Sequence, residues 1–273
     1  MGVTIRKMDE RRKPSINTFF RLGTLGVSLL FLACTMTPIR NISPEQEARN
    51  HLEMGVAFLK SRAYTPALEE FLAAEKQNPK NPEIYYYQGI AYYGKGMADK
   101  ALEAFRRAVR LRPDYSEAWN YLGTLYLESQ DYDEAIDSYN KALKNILFRN
   151  PGTSLYNLGI AYSRKGDFQK SIQAFEEAIH REPNSVLTPL IYKSMGVSSM
   201  KAKEYGKALE ALQKSIELSP YIAESHYWLG LSYLETGRRE SGEKALEMAA
   251  SLGEDTEYGL LARKKLAELS LNR

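Results

Sequence analysis

One cysteine stands in 273 residues, Cys34, so the chain cannot close an internal disulfide. The three histidines, His51, His180 and His226, fall at no ligand spacing, and no metal is expected. No Gly-x-Ser-x-Gly elbow occurs. Gly94-Lys95-Gly96 reads as a turn between helices and not as a phosphate loop. Doublets such as Glu69-Glu70 and Glu176-Glu177 read as solvated helix faces and not as paired catalytic carboxylates. No catalytic residue or cofactor is therefore expected, and the chain reads as a non-enzyme. An excess of one charge is missing as well. The first 33 residues hold six basic and two acidic side chains; taking these from the 37 basic and 34 acidic of the whole leaves 31 and 32. A body so near neutrality gives no electrostatic reason to bind nucleic acid. The apolar run from Leu22 to Ala33 has 12 residues, short of the roughly 20 that cross a bilayer.

A hydrophobic content of 44% with 26% charged residues fits a folded, soluble body. The start differs from the rest. A basic segment ends at Arg21, the short apolar run follows, and then comes Cys34. A charged start before a short apolar core reads as a secretory signal, beginning at Met1 or at Met8. Leu30-Phe31-Leu32-Ala33-Cys34 resembles a bacterial lipobox. The resemblance implies cleavage after residue 33 and lipidation of Cys34. Thr35 in the next position implies the outer membrane, facing the periplasm. The expected organisation is a lipoprotein signal peptide over 1–33, a lipidated N-terminus and linker over 34–47, repeats over 48–256, and a capping helix and tail over 257–273.

The repeats show in glycine. Gly55, Gly89, Gly123, Gly159, Gly196 and Gly230 are separated by 34, 34, 36, 37 and 34 residues. Sixteen places after them stand Phe71, Phe105, Tyr139, Phe175, Leu212 and Leu246, and twelve places after them Ala67, Ala101, Ala135, Ser171, Ala208 and Gly242. Pro79, Pro113, Pro183 and Pro220 close four of the units. A 34-residue period of this kind resembles the tetratricopeptide repeat. The implied fold is all-α: a superhelix of six helix-turn-helix repeats with a C-terminal capping helix over Glu257–Ser270, its apolar side formed by Leu260, Leu261, Leu266 and Leu269. The small residues are expected to let paired backbones approach, with the aromatics filling the space between. Ser43-Pro44, Asn81-Pro82 and Asn150-Pro151 read as helix starts. Two extra residues near Leu147 to Pro151 and three near Val186 to Thr188, with Ser199, Leu212 and Ser215 off pattern in repeat five, predict a bend or loosening there.

In such arrays the first helix of each repeat lines the concave face. Carried over, the resemblance puts Leu52/Val56, Tyr86/Ile90, Asn120/Thr124, Tyr156/Ile160, Lys193/Val197 and Tyr227/Leu231 on that face, with Tyr93, Asn157 and Leu234 beside them. An apolar, tyrosine-rich surface suits a protein partner; the bland alternative is that some of these tyrosines only pack against neighbouring helices. No pair joins lysine to asparagine, so a clamp for a C-terminal carboxylate is not expected.

A lipobox followed by six such repeats resembles the pilotin lipoproteins of type IV pilus systems, the PilF/PilW and Tgl group. The junction Ala142-Leu143-Lys144-Asn145 to Asn150-Pro151 to Tyr156-Asn157-Leu158-Gly159 carries the narrower likeness. The resemblance implies a membrane-tethered scaffold that helps a secretin, the outer-membrane pilus pore, reach its membrane and assemble. An adaptor for cell-wall hydrolases is the alternative in the same class. A repeat-bearing enzyme is the alternative from another class.

Overall fold

The structure, a computed structural model, describes residues 42–149 and 151–271. Cys34, the leader and the capping residue Asn150 lie outside them. Residues Ile42–Arg273 form a compact unit that holds the thirteen described helices and their cores. No strand occurs among the described residues. Helix α1 (Pro44–Lys60) pairs with α2 (Tyr64–Gln77), α3 (Pro82–Gly94) with α4 (Ala98–Leu111), and α5 (Ser116–Glu128) with α6 (Tyr132–Leu143). The second half continues with α7 (Pro151–Lys165) and α8 (Phe168–Arg181), α9 (Thr188–Lys201) and α10 (Tyr205–Leu218), α11 (Ala223–Glu235) and α12 (Arg239–Leu252). A thirteenth helix, α13 (Glu257–Leu271), closes the array.

Local chemistry sets the helix ends. The Ser43 hydroxyl accepts the Gln46 N–H at 3.2 Å, with Pro44 in the first turn. The Asn81 side chain accepts the Glu83 N–H at 2.9 Å, ahead of Pro82. Both satisfy donors that a helix start leaves free. The first helix of every pair ends in one repeated motif. A residue with positive φ follows the helix: Arg62, Gly96, Gln130, Gly166, Lys203 and Gly237. The next N–H then reaches the carbonyl five residues back, as Met97 does to Tyr92 at 2.9 Å and Asp131 to Tyr126 at 2.8 Å. That is a Schellman C-cap, which reverses the chain in three residues.

The conserved spacing inside each repeat has a more specific cause than backbone approach alone. A Cβ added to Gly89 would stand 2.6 Å from the Phe105 ring, on Gly123 2.7 Å from Tyr139, and on Gly159 2.5 Å from Phe175. Each glycine is thus a socket for the side chain sixteen residues later. Backbones do approach, but at the position twelve residues on: Ser171 Oγ donates to the Gly159 carbonyl at 2.8 Å, and a Cβ on Gly242 would stand 3.0 Å from the Gly230 carbonyl.

These contacts generate a ladder of apolar cores, each shared by neighbouring pairs and continuing from Leu52 and Phe71 at one end to Leu246 and Ala262 at the other. Successive first helices touch one another (α1 with α3, α5 with α7, α7 with α9, α9 with α11, α11 with α13), whereas no two second helices touch to that extent among the described residues. The first helices are therefore on the inside of the curve. In repeat five the off-pattern serines are buried, but only one is hydrogen-bonded: Ser215 Oγ donates to the Pro189 carbonyl at 2.9 Å and lies 2.9 Å from Ser225 Oγ, whereas the Ser199 hydroxyl has no partner among the described residues. On α13, Ala262 is fully buried and Leu266 and Leu269 pack on the array, while Leu260 is more than half exposed and leaves the apolar stripe expected for it.

Candidate partner-binding groove

The sequence reading assigns the inner face to two residues per first helix, four places apart. The residues directly after each socket glycine form a half-buried ladder of Val56, Ile90, Thr124, Ile160, Val197 and Leu231. The companions behave differently from repeat to repeat. Leu52 is buried in the first core cluster and offers no surface. Tyr86 sits at the centre of an aromatic cluster, with ring centroids 4.9 Å from Tyr115, 5.0 Å from Tyr87 and 5.9 Å from Tyr121. Burial pushes its phenol far above the usual tyrosine range. Tyr86 therefore belongs to the packing between repeats two and three. Its outer edge borders an open cleft of about 640 Å³ with Tyr87, Arg112, Tyr115 and Arg149.

Several inner residues are tied across repeats. The Tyr93 hydroxyl donates to Glu128 Oε1 on α5, and this bond, then burial, pushes its phenol up to about 12. Ser154 Oγ donates to Asn120 Oδ1 at 2.6 Å, and Thr124 Oγ1 donates to the Asn120 carbonyl at 3.1 Å. Asn157 hydrogen-bonds to the buried Tyr139 hydroxyl. Lys193 Nζ donates to Glu224 Oε2 at 2.7 Å, a half-buried ion pair. These rungs hold successive first helices in register, so the groove is preorganised. Tyr227 packs 5.5 Å from the Tyr258 ring of the capping helix. The Tyr156 ring lies 5.9 Å from Phe175, tilted by 42°, and among the described residues no hydrogen bond engages its hydroxyl. With Ile160 one turn on, it gives the predicted face an apolar surface and a polar tip.

Sequence reasoning missed Tyr121, Glu128 and Tyr115. Tyr121 stacks on Phe105 at 4.9 Å with the rings 8° apart, and Glu128 anchors Tyr93. The available signal was the tyrosine two places before Gly123, outside the two positions carried over. The predicted lipidation site, Cys34, lies outside the described residues. Among the described residues no group of three or more His, Cys, Asp or Glu is placed to hold a metal, and no helix is long and apolar enough to cross a membrane.

A preorganised, apolar inner face on stacked helix pairs defines a solenoid scaffold on which another chain can lie. Tetratricopeptide repeat profiles match residues 52–116, 88–152 and 194–255, and a second profile of the same repeat matches 153–185. The chain belongs to the tetratricopeptide-repeat family. Its fold is similar to that of pilF from Pseudomonas aeruginosa, with a TM-score of 0.66 and 15% identity, covering 84% of this chain and 99% of that one. It is also similar to PilW, a widely conserved type IV pilus biogenesis factor, with a TM-score of 0.64 and 20% identity, covering 78% and 96%. At these identities the likeness is one of fold. The E3 ubiquitin-protein ligase CHIP of Arabidopsis thaliana is 33% identical over 90 residues, which are 33% of this chain and 31% of that protein. The chain thus spans about a third of that curated relative.

Proposed function

We propose that this protein is a lipid-anchored scaffold of the bacterial envelope, acting in type IV pilus assembly as a pilotin that brings a secretin to the outer membrane and helps it multimerise. What carries the reading is that its helical array accounts for almost the whole of pilF and of the pilus biogenesis factor PilW. The sole cysteine at the end of a short apolar leader supports the anchor. The work is binding and not catalysis. The groove around Tyr156 and Ile160 takes an amphipathic or extended segment of the partner, burying its apolar side chains, while acyl chains on Cys34 direct the pair to the membrane.

Envelope pull-down with the wild-type body and with Tyr156→Ala tests this. The wild type should capture a secretin and the variant should capture at least tenfold less, with equal helical content. In cells Cys34→Ser should release the protein from outer-membrane fractions. Capture of a cell-wall hydrolase in place of a secretin would overturn the pilus assignment and leave the scaffold. Full secretin capture by Tyr156→Ala would overturn the groove.

A further inference from the structure

The two edges of the array differ. The turns inside each repeat, such as Ser129–Asp131 and Ala202–Glu204, expose no large apolar side chain. Three of the connections between repeats do. Ile146 and Leu147 are 91% and 81% exposed in the connection before α7, Val186 is 93% exposed before α9, and Tyr221 is 81% exposed before α11. Each connection joins the end of a second helix to the start of the next first helix, so all three lie on the same edge. Helix α1 also begins on that edge, at Ser43 and Pro44, and Ile42 there is 54% exposed.

We infer that this edge is a membrane-contact face, whose apolar tips enter the interface of a bilayer bearing anionic lipid. Three observations favour lipid over protein. The tips project from separate connections, which a bilayer accepts and which a protein would have to meet with a pocket for each. Residues 138–152 around the connection before α7 contain no acidic residue and carry the exposed Lys144 and Arg149, while Lys141 is paired with Asp137; apolar tip beside basic flank is what anionic interfaces attract. Neighbouring acids are engaged elsewhere: Glu182 accepts the Gly152 N–H at 2.9 Å, and Glu177 pairs with Arg181 at 2.7 Å. Arg149 also borders the cleft that Glu83, Asp114 and Glu117 line, so Lys144 carries the electrostatic part. Finally, the chain from Cys34 joins the array at this edge. Seven residues separate Cys34 from Ile42, eight backbone steps with a reach of at most about 28 Å. An acyl anchor would therefore hold the apolar tips toward the bilayer and leave the groove open along it. The orientation rests on the proposed anchor; the contact itself does not.

Unlipidated residues 42–273, the compact unit with its complete core, are to be sedimented with vesicles of phosphatidylethanolamine and phosphatidylglycerol, and with vesicles lacking the anionic lipid. Salt-sensitive binding to the anionic vesicles is expected. Ile146→Ser/Leu147→Ser should weaken it at least tenfold at unchanged helical content, because Phe148 and not these two fills the core under the connection. Lys144→Glu should weaken it and flatten its salt dependence. No vesicle binding by the wild-type unit, or equal binding by the serine variant, overturns the inference. So does a serine variant that binds vesicles normally yet loses secretin capture, which would make this edge a protein interface. Retention in membranes of Cys34→Ser combined with Ile146→Ser/Leu147→Ser would instead count against the anchor.

Discussion

At the scale of single residues, identity follows from what stands opposite. Gly123 is a socket for Tyr139, and Gly123→Ala forces the ring away; overpacking of this kind costs about 1–3 kcal/mol. Gly206, on α10, has nothing within 4 Å of an added Cβ, so Gly206→Ala should be neutral or stabilise by up to about 1 kcal/mol through helix propensity. Urea unfolding of the two variants checks the contrast. The tyrosines make a second prediction. Tyr93 in the folded chain loses its proton only at about 12, because its hydroxyl bonds to Glu128 and is partly buried, against roughly 10 when unfolded. The folded state then holds a proton that the unfolded state has released. Its contribution is complete below pH 10 and is lost as pH rises through 12. Melting temperature should fall between pH 9.5 and 11.5, and Tyr93→Phe should fall less steeply over that range.

At the scale of elements, helices and turns share one period because each repeat needs the same reversal. The positive-φ residue after the first helix is glycine in three repeats and Arg62, Gln130 or Lys203 in the others. A side chain in the left-handed region is strained by about 1 kcal/mol. Gln130→Gly should therefore stabilise by a few tenths to about 1 kcal/mol, and Gly96→Ala should destabilise by about 1 kcal/mol, read by thermal melts of both. The period of the socket glycines, of the residues at plus twelve and plus sixteen, and of the closing prolines made the helix pairs legible. The Schellman residue was less legible, since Arg62, Gln130 and Lys203 carry no compositional mark of a turn. The expectation of looser packing in repeat five was drawn in part from Ser199 and Ser215; Ser215 replaces lost apolar contact with hydrogen bonds to buried partners, whereas the buried Ser199 hydroxyl finds no partner among the described residues, a difference that composition does not disclose.

At the scale of the whole molecule, stability travels between nearest neighbours. The capping helix covers Leu246 and Ala249 of α12 and packs Tyr258 against Tyr227. Deleting residues 257–273 exposes that core. The truncated chain should melt several degrees lower and self-associate, as sedimentation would show; an unchanged melt would mean that α12 needs no cover. The same reasoning separates the two candidate surfaces. The groove is a property of aligned first helices, and the apolar edge is a property of the connections, so variants in one should leave the other intact.

By itself, the sequence determined the repeat and the pairing of helices. A solenoid repeat touches only its neighbours, so the contacts that define it fall within about 35 residues and recur as a written period. Tertiary structure alone decided which inner tyrosines remain available. Tyr86 is enclosed by Tyr115 and Tyr121, Tyr93 is held by Glu128, and Tyr156 makes only a tilted ring contact with Phe175, although all three satisfy the same inward-facing rule. The difference arises because availability depends on what the next repeat places against a side chain, and that neighbour varies where the period does not.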